Sequence, residues 1–506
     1  MKLTAIRFFD KLKLLASSNL LIAIGAFLLF MATAAYYNFP TPEFLNTKFG
    51  WEYGNIAEAL VQGKGFSNAF TPESGPTAWM PPLFVFLLAG VFQLFGIKTI
   101  ASMWVVFIVK YIALAASVYF LLSVARLAGY ERFKLLLGLL YVLLIYFNRD
   151  ASFRSLHDEW LNLSLACWML YAFSVQSSDH ANKALQHLVI LAILLPLTNP
   201  ALTLAFAVTE TWVFLRTRAS TPHRRWVSFG MAFTLLAAST FVWTFRNYQV
   251  FGRLIPIKSN FWYDFYQANA LDDDGLTTNE TFAKYHLINR NETQEKYLIE
   301  GETRFTESYQ ALSEEWISGH QPQLLANVSR RAVSSFVYSH YVEDIPHATP
   351  EVISPQDINI LQREGLVFMD ESSVVYWVSI TLSQREFEDR ISRLNLSDQS
   401  AVLQDWLNQR AALEAHKRSW KIVLKSLFLT LIPSLCILTG SMIEKIRKNP
   451  VFIIAITMYL TSLAPYILVS FYRRYQVPLI GLQSVFIFFV ACIILDKLTL
   501  WLFPKN

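Results

Sequence analysis

The sequence predicts an all-α polytopic membrane protein of about ten transmembrane helices with a mainly helical extracytoplasmic insert. Three observations predict it. Of 506 residues, 54% are hydrophobic and only 16% charged, against about 25% charged in an ordinary soluble protein. Ten stretches are apolar over most or all of a membrane-crossing length. Charge is also split along the chain. Residues 246–419 hold 16 Lys/Arg and 25 Asp/Glu, and the remainder holds 27 and 13. The composition excludes a soluble enzyme, a disordered scaffold and a fibrous repeat. The basic excess of the body reads as membrane topology and not as nucleic-acid binding.

A crossing helix needs about 20 mainly apolar residues. The expected spans are 20–37, 100–127, 133–147, 160–175, 185–197, 201–215, 226–244, 422–442, 451–471 and 477–495. Met1 to Lys13 is basic, and the apolar run behind it lacks a small-residue cleavage site, so it is expected to be an uncleaved first span. Leu197-Thr198-Asn199-Pro200 allows either a tight hairpin or one helix kinked at proline. Charge favours the hairpin. With ten spans and both termini cytoplasmic, seventeen Lys/Arg fall inside and seven in the short external loops, a positive-inside bias. Leu83 to Phe95 is short and follows Pro81-Pro82, so it is expected as a re-entrant or interfacial helix. The chain thus divides into a body (1–245), an acidic extracytoplasmic domain (246–419) and C-terminal helices (420–506). Within the insert a helix is expected from Asn291 to about Ser318, with weak strand signals at 365–368 and 374–380. Cys167, Cys436 and Cys492 lie in apolar runs and form no disulfide or metal pattern.

Outside the insert there are thirteen acidic residues, and seven lie in external loops: Glu43, Glu52, Glu58, Glu73, Asp150, Asp158 and Glu159. Carboxylates at a membrane boundary are costly unless solvated, paired or used. Glu52 opens a short amphipathic stretch, where the helix dipole favours a negative charge; it fits a plain first-turn acid and a catalytic one equally well. Asp158 and Glu159 open the fourth span, as plain N-terminal acids or as the wall of a polar cavity. A third cluster is cationic: Arg246, Arg253 and Lys258 after the seventh span, and Arg473-Arg474-Tyr475 before the tenth. Arginine at this depth either snorkels to lipid phosphates or clamps a ligand phosphate. Lys110 lies deep in an apolar run and calls for a partner or a wet cavity.

The stretches Trp51-Glu52-Tyr53-Gly54-Asn55-Ile56-Ala57, Gly63-Lys64-Gly65-Phe66-Ser67 and Pro76-Thr77-Ala78-Trp79-Met80-Pro81-Pro82 resemble the first external loop of bacterial GT-C glycosyltransferases. This group is similar to the protein O-mannosyltransferases and lipid A aminoarabinose transferases. Arg246-Asn247-Tyr248 with Phe251-Gly252-Arg253 and Pro256, Gly301-Glu302 with Pro322 and Arg331, and Arg474-Tyr475-Gln476-Val477-Pro478 extend the resemblance over residues 1–335 and 420–495. Residues 340–419 resemble nothing in the group. The resemblance implies a polyprenyl-phosphate sugar donor, an extracytoplasmic acceptor, inversion at the anomeric carbon, and a bacterial inner-membrane location. It puts Glu52 at the position of the first-loop carboxylate that activates the acceptor, where relatives often carry Asp. Asp158 and Glu159 would orient the acceptor. Arg246, Arg253, Arg473 or Arg474 would hold the donor phosphate, and Tyr53, Lys64, Trp79, Arg149, Arg154 and Tyr475 would line the substrates. A divalent cation could sit at Glu52 and Asp158, but scattered carboxylates are a weak metal signal.

Three alternatives compete. An O-antigen ligase or polymerase would also pair many spans with a large loop, with His340 and His347 as candidates, but leaves the first-loop carboxylates unexplained. A transporter would be expected to show broken helices and internal symmetry, and only Leu197–Pro200 offers a break. A receptor or scaffold would use the acidic insert to bind a partner.

Overall fold

The computed structural model describes residues 18–38, 49–148, 150–178, 184–216, 222–271, 291–337, 353–369, 382–417 and 420–502, with short pieces at 275–277, 347–348 and 375–377 and single positions at 281, 285 and 287. Among these residues the fold is dominated by helices. Six are long and apolar enough to cross a membrane: Asn19–Tyr37, Ile100–Leu127, Trp226–Phe251, Val423–Met442, Pro450–Leu468 and Arg473–Leu502. Lys134–Phe147, Glu159–Gln176, Ala184–Leu194 and Pro200–Arg216 coincide with four further expected spans but are shorter or less apolar. Their polar interruptions, such as Asn162 and Glu210, are buried against neighbouring helices.

Capping chemistry sets several ends. Thr99 and Ser102 form a reciprocal capping box at the start of Ile100–Leu127, satisfying two otherwise orphaned donors. Asn449 accepts from the Val451 amide, and Pro450 takes the first position of the next helix, where its missing N–H costs nothing. The expected hairpin at residues 197–200 forms. Asn199 Oδ1 accepts from the Ala201 and Leu202 amides at 2.9 and 3.2 Å. Gln176 Nε2 donates to Glu210 Oε1 at 3.1 Å. A continuous helix from Ala184 would carry residue 210 roughly 39 Å away at 1.5 Å per residue; the bond to Gln176 requires the chain to turn back.

Polar contacts tie the helix ends in two groups. In one, Asn19 donates to Ser123 (3.2 Å) and accepts from Lys134 (3.0 Å). Asn449 donates to the Ala128 carbonyl at 3.0 Å, and Arg132 and Lys445 both pair with Asp496. In the other, Asn38 donates to the Phe153 carbonyl, the Leu83 amide to Leu197 (2.9 Å), and Asn199 to Tyr466 (3.2 Å). Helix Pro82–Phe95 packs on Trp51–Val61 and on the start of the second long helix. At 14 residues it is shorter than the six helices long enough to cross a membrane.

The insert is two structures in sequence. Its first part shares the core of the body. Asn291–Gly319 forms the expected helix, bent at Gly301, whose φ of 71° lies in a region open mainly to glycine. Directly after the bend, buried Glu302 accepts from the Thr77 hydroxyl, the Ala78 amide (2.6 Å) and the Tyr297 hydroxyl (2.8 Å). Arg331, wholly buried, donates to the carbonyls of Ile467 (2.7 Å) and Leu468 (3.2 Å). These lie in the last turn of Pro450–Leu468, where carbonyls lack helical partners. A two-residue parallel pairing of Leu276–Thr277 with Phe471–Tyr472 adds a third tie.

The second part, residues 353–407, has a separate apolar core around Trp377, Phe387 and Trp406. Phe387 and Trp406 stack at 4.3 Å, and Trp377 Nε1 donates to buried Asp405 at 2.7 Å. Strands Val367–Met369 and Val375–Trp377 pair antiparallel, the second within and the first overlapping the stretches that carry strand signals, and His347–Ala348 adds a third. The sequence treats 246–419 as one acidic domain; the buried contacts split it, because among the described residues the first part packs its aromatic residues into the core of the body and the second part into a core of its own.

Candidate active site

Three polar clusters that are far apart in sequence meet beside the helix Trp51–Val61. Gly50 precedes this helix with φ 77°, turning the chain so that Glu52 lies in the first turn. Tyr53, one residue on, is buried edge-on against Phe84. Its hydroxyl donates to the Asp158 carboxylate, which also accepts from Asn162 Nδ2 at 2.7 Å. Burial, then the charge of neighbouring Glu159, raises the Asp158 carboxyl above the usual range, and the two hydrogen bonds oppose that. Burial and then the Asp158 charge hold the Tyr53 phenol well up, so it is a donor at neutral pH.

Arg474 comes from the turn Arg473–Leu479 that leads into the last helix. Its Nε lies 3.2 Å from Glu159 Oε1, and a terminal nitrogen lies 3.2 Å from His157 Nδ1. A guanidinium only donates, so His157 Nδ1 accepts and the ring carries its proton on Nε2. Burial, and secondarily the Arg474 charge, lower the imidazole to about 4, while Glu52 and Asp158 pull the other way. His157 is therefore neutral at pH 7. The turn itself is fixed by Gln476, which donates to the Ser335 carbonyl at 2.8 Å, and by Tyr475 stacking on Tyr466 at 4.2 Å.

Asp264 joins this group and was not among the expected residues. Asn260 donates to it at 2.9 Å. Burial pushes its carboxyl up to about 6, and Lys258, Glu52 and Arg474 are all near enough to affect it. Its signal in the sequence is a single carboxylate within the aromatic run Phe261–Tyr266, where desolvation makes an acid expensive. His157 was legible only as part of its segment. Lys110 finds its partner here too: Nζ donates to the Ser155 carbonyl at 2.7 Å, two residues before His157.

The structure thus brings together Glu52, Tyr53, Asp158, Glu159, Arg474 and Tyr475. Other expected residues have different contacts. Arg246, expected on a donor phosphate, donates to the carbonyls of Thr77 (2.7 Å) and Phe66 (2.9 Å), so it holds the first loop against the body, opposite Glu302. Arg253, also expected there, pairs with Glu307 of the insert. Arg473 donates to Asn148 at 3.4 Å. Trp79, expected to line a substrate, is 1% exposed among Phe70, Tyr263, Tyr297 and Phe305; it is a core residue, because the loop folds inward there. Lys64 is exposed, Arg154 is exposed over the Tyr37 ring, and Arg149 lies outside the described residues. Among the described residues no three His, Cys, Asp or Glu side chains are grouped to hold a metal ion.

Chemically, the cluster offers several carboxylates of differing basicity, one neutral imidazole and a guanidinium held by two of its neighbours. Groups pushed apart in proton affinity within one site suit acid–base work, and the cation suits an anionic group. Comparison of the chain with protein-family models, with curated proteins and with solved structures gives no match.

Proposed function

We propose that the protein is an inverting glycosyltransferase of the GT-C type, moving a sugar from a polyprenyl-phosphate donor to an extracytoplasmic acceptor. The observation that carries this reading is the convergence of Asp158 and Glu159 on Arg474, with Glu52 beside His157, which the same guanidinium meets. In the proposed reaction Glu52 takes the proton from an acceptor hydroxyl. The oxygen attacks the anomeric carbon as its bond to the phosphate oxygen breaks, and the polyprenyl phosphate leaves as an anion. Arg474 stabilises that developing charge, an electrostatic contribution. Glu159 and His157 orient its guanidinium, and Lys258 adds positive charge nearby. Asp158, held by Tyr53, orients the acceptor.

The reading includes ten crossings with both termini cytoplasmic in a bacterial inner membrane. The two groups of polar contacts support it. Alternating crossings put every bonded pair of one group on the cytoplasmic side and every pair of the other, including Arg474–Glu159, outside. Reporter fusions at Gly275 and Arg218 are expected to report opposite sides; the same side for both refutes this topology. For the activity, the purified full-length protein is incubated with a panel of polyprenyl-phosphate sugars. Consumption of one, releasing polyprenyl phosphate, is expected, and no turnover with any acceptor extract overturns the assignment.

A further inference from the structure

The helix Gln321–Phe336 of the insert is inside out. Its buried residues are Asn327, Arg331, Ser334 and Ser335. Its exposed residues include Leu325 at 69% and Val333 at 54%, and Val337 at its end is 49% exposed, with Ser329 and Arg330 exposed on the same side. At about 100° per residue, Leu325, Val333 and Val337 fall on one side and Asn327 and Arg331 on the other. In water this polarity is doubly unfavourable: apolar area stays hydrated, and a guanidinium is desolvated. Both terms reverse if the outward face meets hydrocarbon, where backbone and polar groups must be satisfied internally.

The surroundings place that face against lipid. Arg331 bonds the last carbonyls of Pro450–Leu468. The Ser335 carbonyl accepts from Gln476 at the head of the final helix, and the Val337 carbonyl accepts from Thr430 at 3.3 Å. The helix is therefore pinned to the ends of two helices that are apolar enough to cross a membrane and to the interior of a third. Seven and ten residues before Thr430, Val423 (41%) and Trp420 (67%) are also exposed apolar side chains. Just before the helix, Trp316 stacks on His320 at 5.1 Å, the kind of amphipathic ring found at headgroup depth.

We infer that Gln321–Phe336 is embedded in the bilayer leaflet at the insert end of the bundle, with Leu325, Val333 and Val337 against acyl chains. The insert is then not wholly water-facing: its first part is a membrane-seated collar, and only residues beyond it are free of lipid. This inference does not depend on glycosyl transfer.

The test uses the full chain in phospholipid nanodiscs, with Cys436 replaced by Ser and spin labels placed singly at Leu325→Cys, Val333→Cys, Ser329→Cys and, as a water-exposed control, Gln384→Cys. Collision rates are read with molecular oxygen, which partitions into lipid, and with a water-soluble nickel chelate. Oxygen is expected to exceed the chelate several-fold at 325 and 333, with the reverse at 384. Chelate access at 325 and 333 equal to that at 384 overturns the inference, as does exclusion of both reagents, which would mean a covering protein or second copy. Ser329→Cys, nearly isosteric, reads the same face if the larger replacements disturb folding.

Discussion

Arg474 lies with its Nε 3.2 Å from Glu159 Oε1, joining the turn before the last helix to the first residue of Glu159–Gln176. The same guanidinium meets His157 Nδ1. A cation so held is oriented before any ligand arrives, so a bound phosphate finds it without a cost of ordering.

Replacing Arg474 with Ala should therefore lower donor turnover by about 100-fold or more, the usual scale for loss of one preorganised charge-stabilising group. Arg474→Lys should recover only part, because a point charge cannot reach Glu159 and a phosphate with the same fork. Initial rates against donor concentration for both variants measure this. Unchanged donor kinetics in Arg474→Ala removes the phosphate role.

Glu52→Gln should abolish sugar transfer while leaving the thermal unfolding midpoint close to wild type. The residue is half-buried in a first helical turn, and Gln is nearly isosteric. Transfer assayed beside a melting curve separates the two effects. Full activity in this variant would leave the base assignment untenable.

Tyr53→Phe deletes a hydrogen bond that favours the ionised form of Asp158. The Asp158 carboxyl, already raised by burial, should rise further. The acidic limb of the pH–rate profile should then move to higher pH in the variant. Stability should fall by about 1–3 kcal/mol, the cost of leaving a buried acceptor short of a partner. A profile superimposable on wild type would disconnect Asp158 from the rate.

Asp264 gives a prediction about pH and stability. Its folded carboxyl is pushed up to about 6, against about 3.9 in an unfolded chain. Between those values the folded state holds more protons than the unfolded state, so stability falls as pH rises. Its contribution is fully present below about pH 4 and lost by about pH 6. His157, lowered to about 4, acts oppositely, losing stability as pH falls from about 6.5. Asp264→Asn keeps only the second effect. Its melting midpoint relative to wild type should climb between pH 4 and 6.5. A constant difference across that range would show that Asp264 does not titrate there.

Arg331→Met should cost about 1–3 kcal/mol, the scale for leaving a buried acceptor without its partner, since the Ile467 and Leu468 carbonyls lose this donor. Limited proteolysis in nanodiscs should then cut the insert near residues 319–337 faster than in wild type. Equal cleavage rates would mean that the anchor is dispensable.

Much of the architecture is legible from composition and periodicity, because apolar runs long enough to cross a membrane have few other stable states. The expected ends at 37, 127, 147 and 175 match helix ends within a residue or so, and the short helix after Pro81-Pro82 is announced by its prolines. The helix from Asn291 is likewise readable from its Glu, Lys and Gln content. The carboxylates at Glu52, Asp158 and Glu159 and the cation at Arg474 stand out because charge near an apolar run demands a reason.

The sequence by itself determined which segments are apolar and which charges needed explaining. Only the tertiary structure decided what each charge does. Arg246 and Arg474 look alike in sequence, each a guanidinium beside an apolar segment, yet one is spent on backbone carbonyls of the first loop and the other faces carboxylates. Trp79 and Tyr53 sit in equally aromatic motifs, but one is enclosed and the other bonds Asp158. Asp264 and His157 became visible only when distant segments met. The physical reason is that helix formation depends on neighbours along the chain, whereas desolvation and ion pairing depend on which groups share a buried volume, and pairings between distant segments set that.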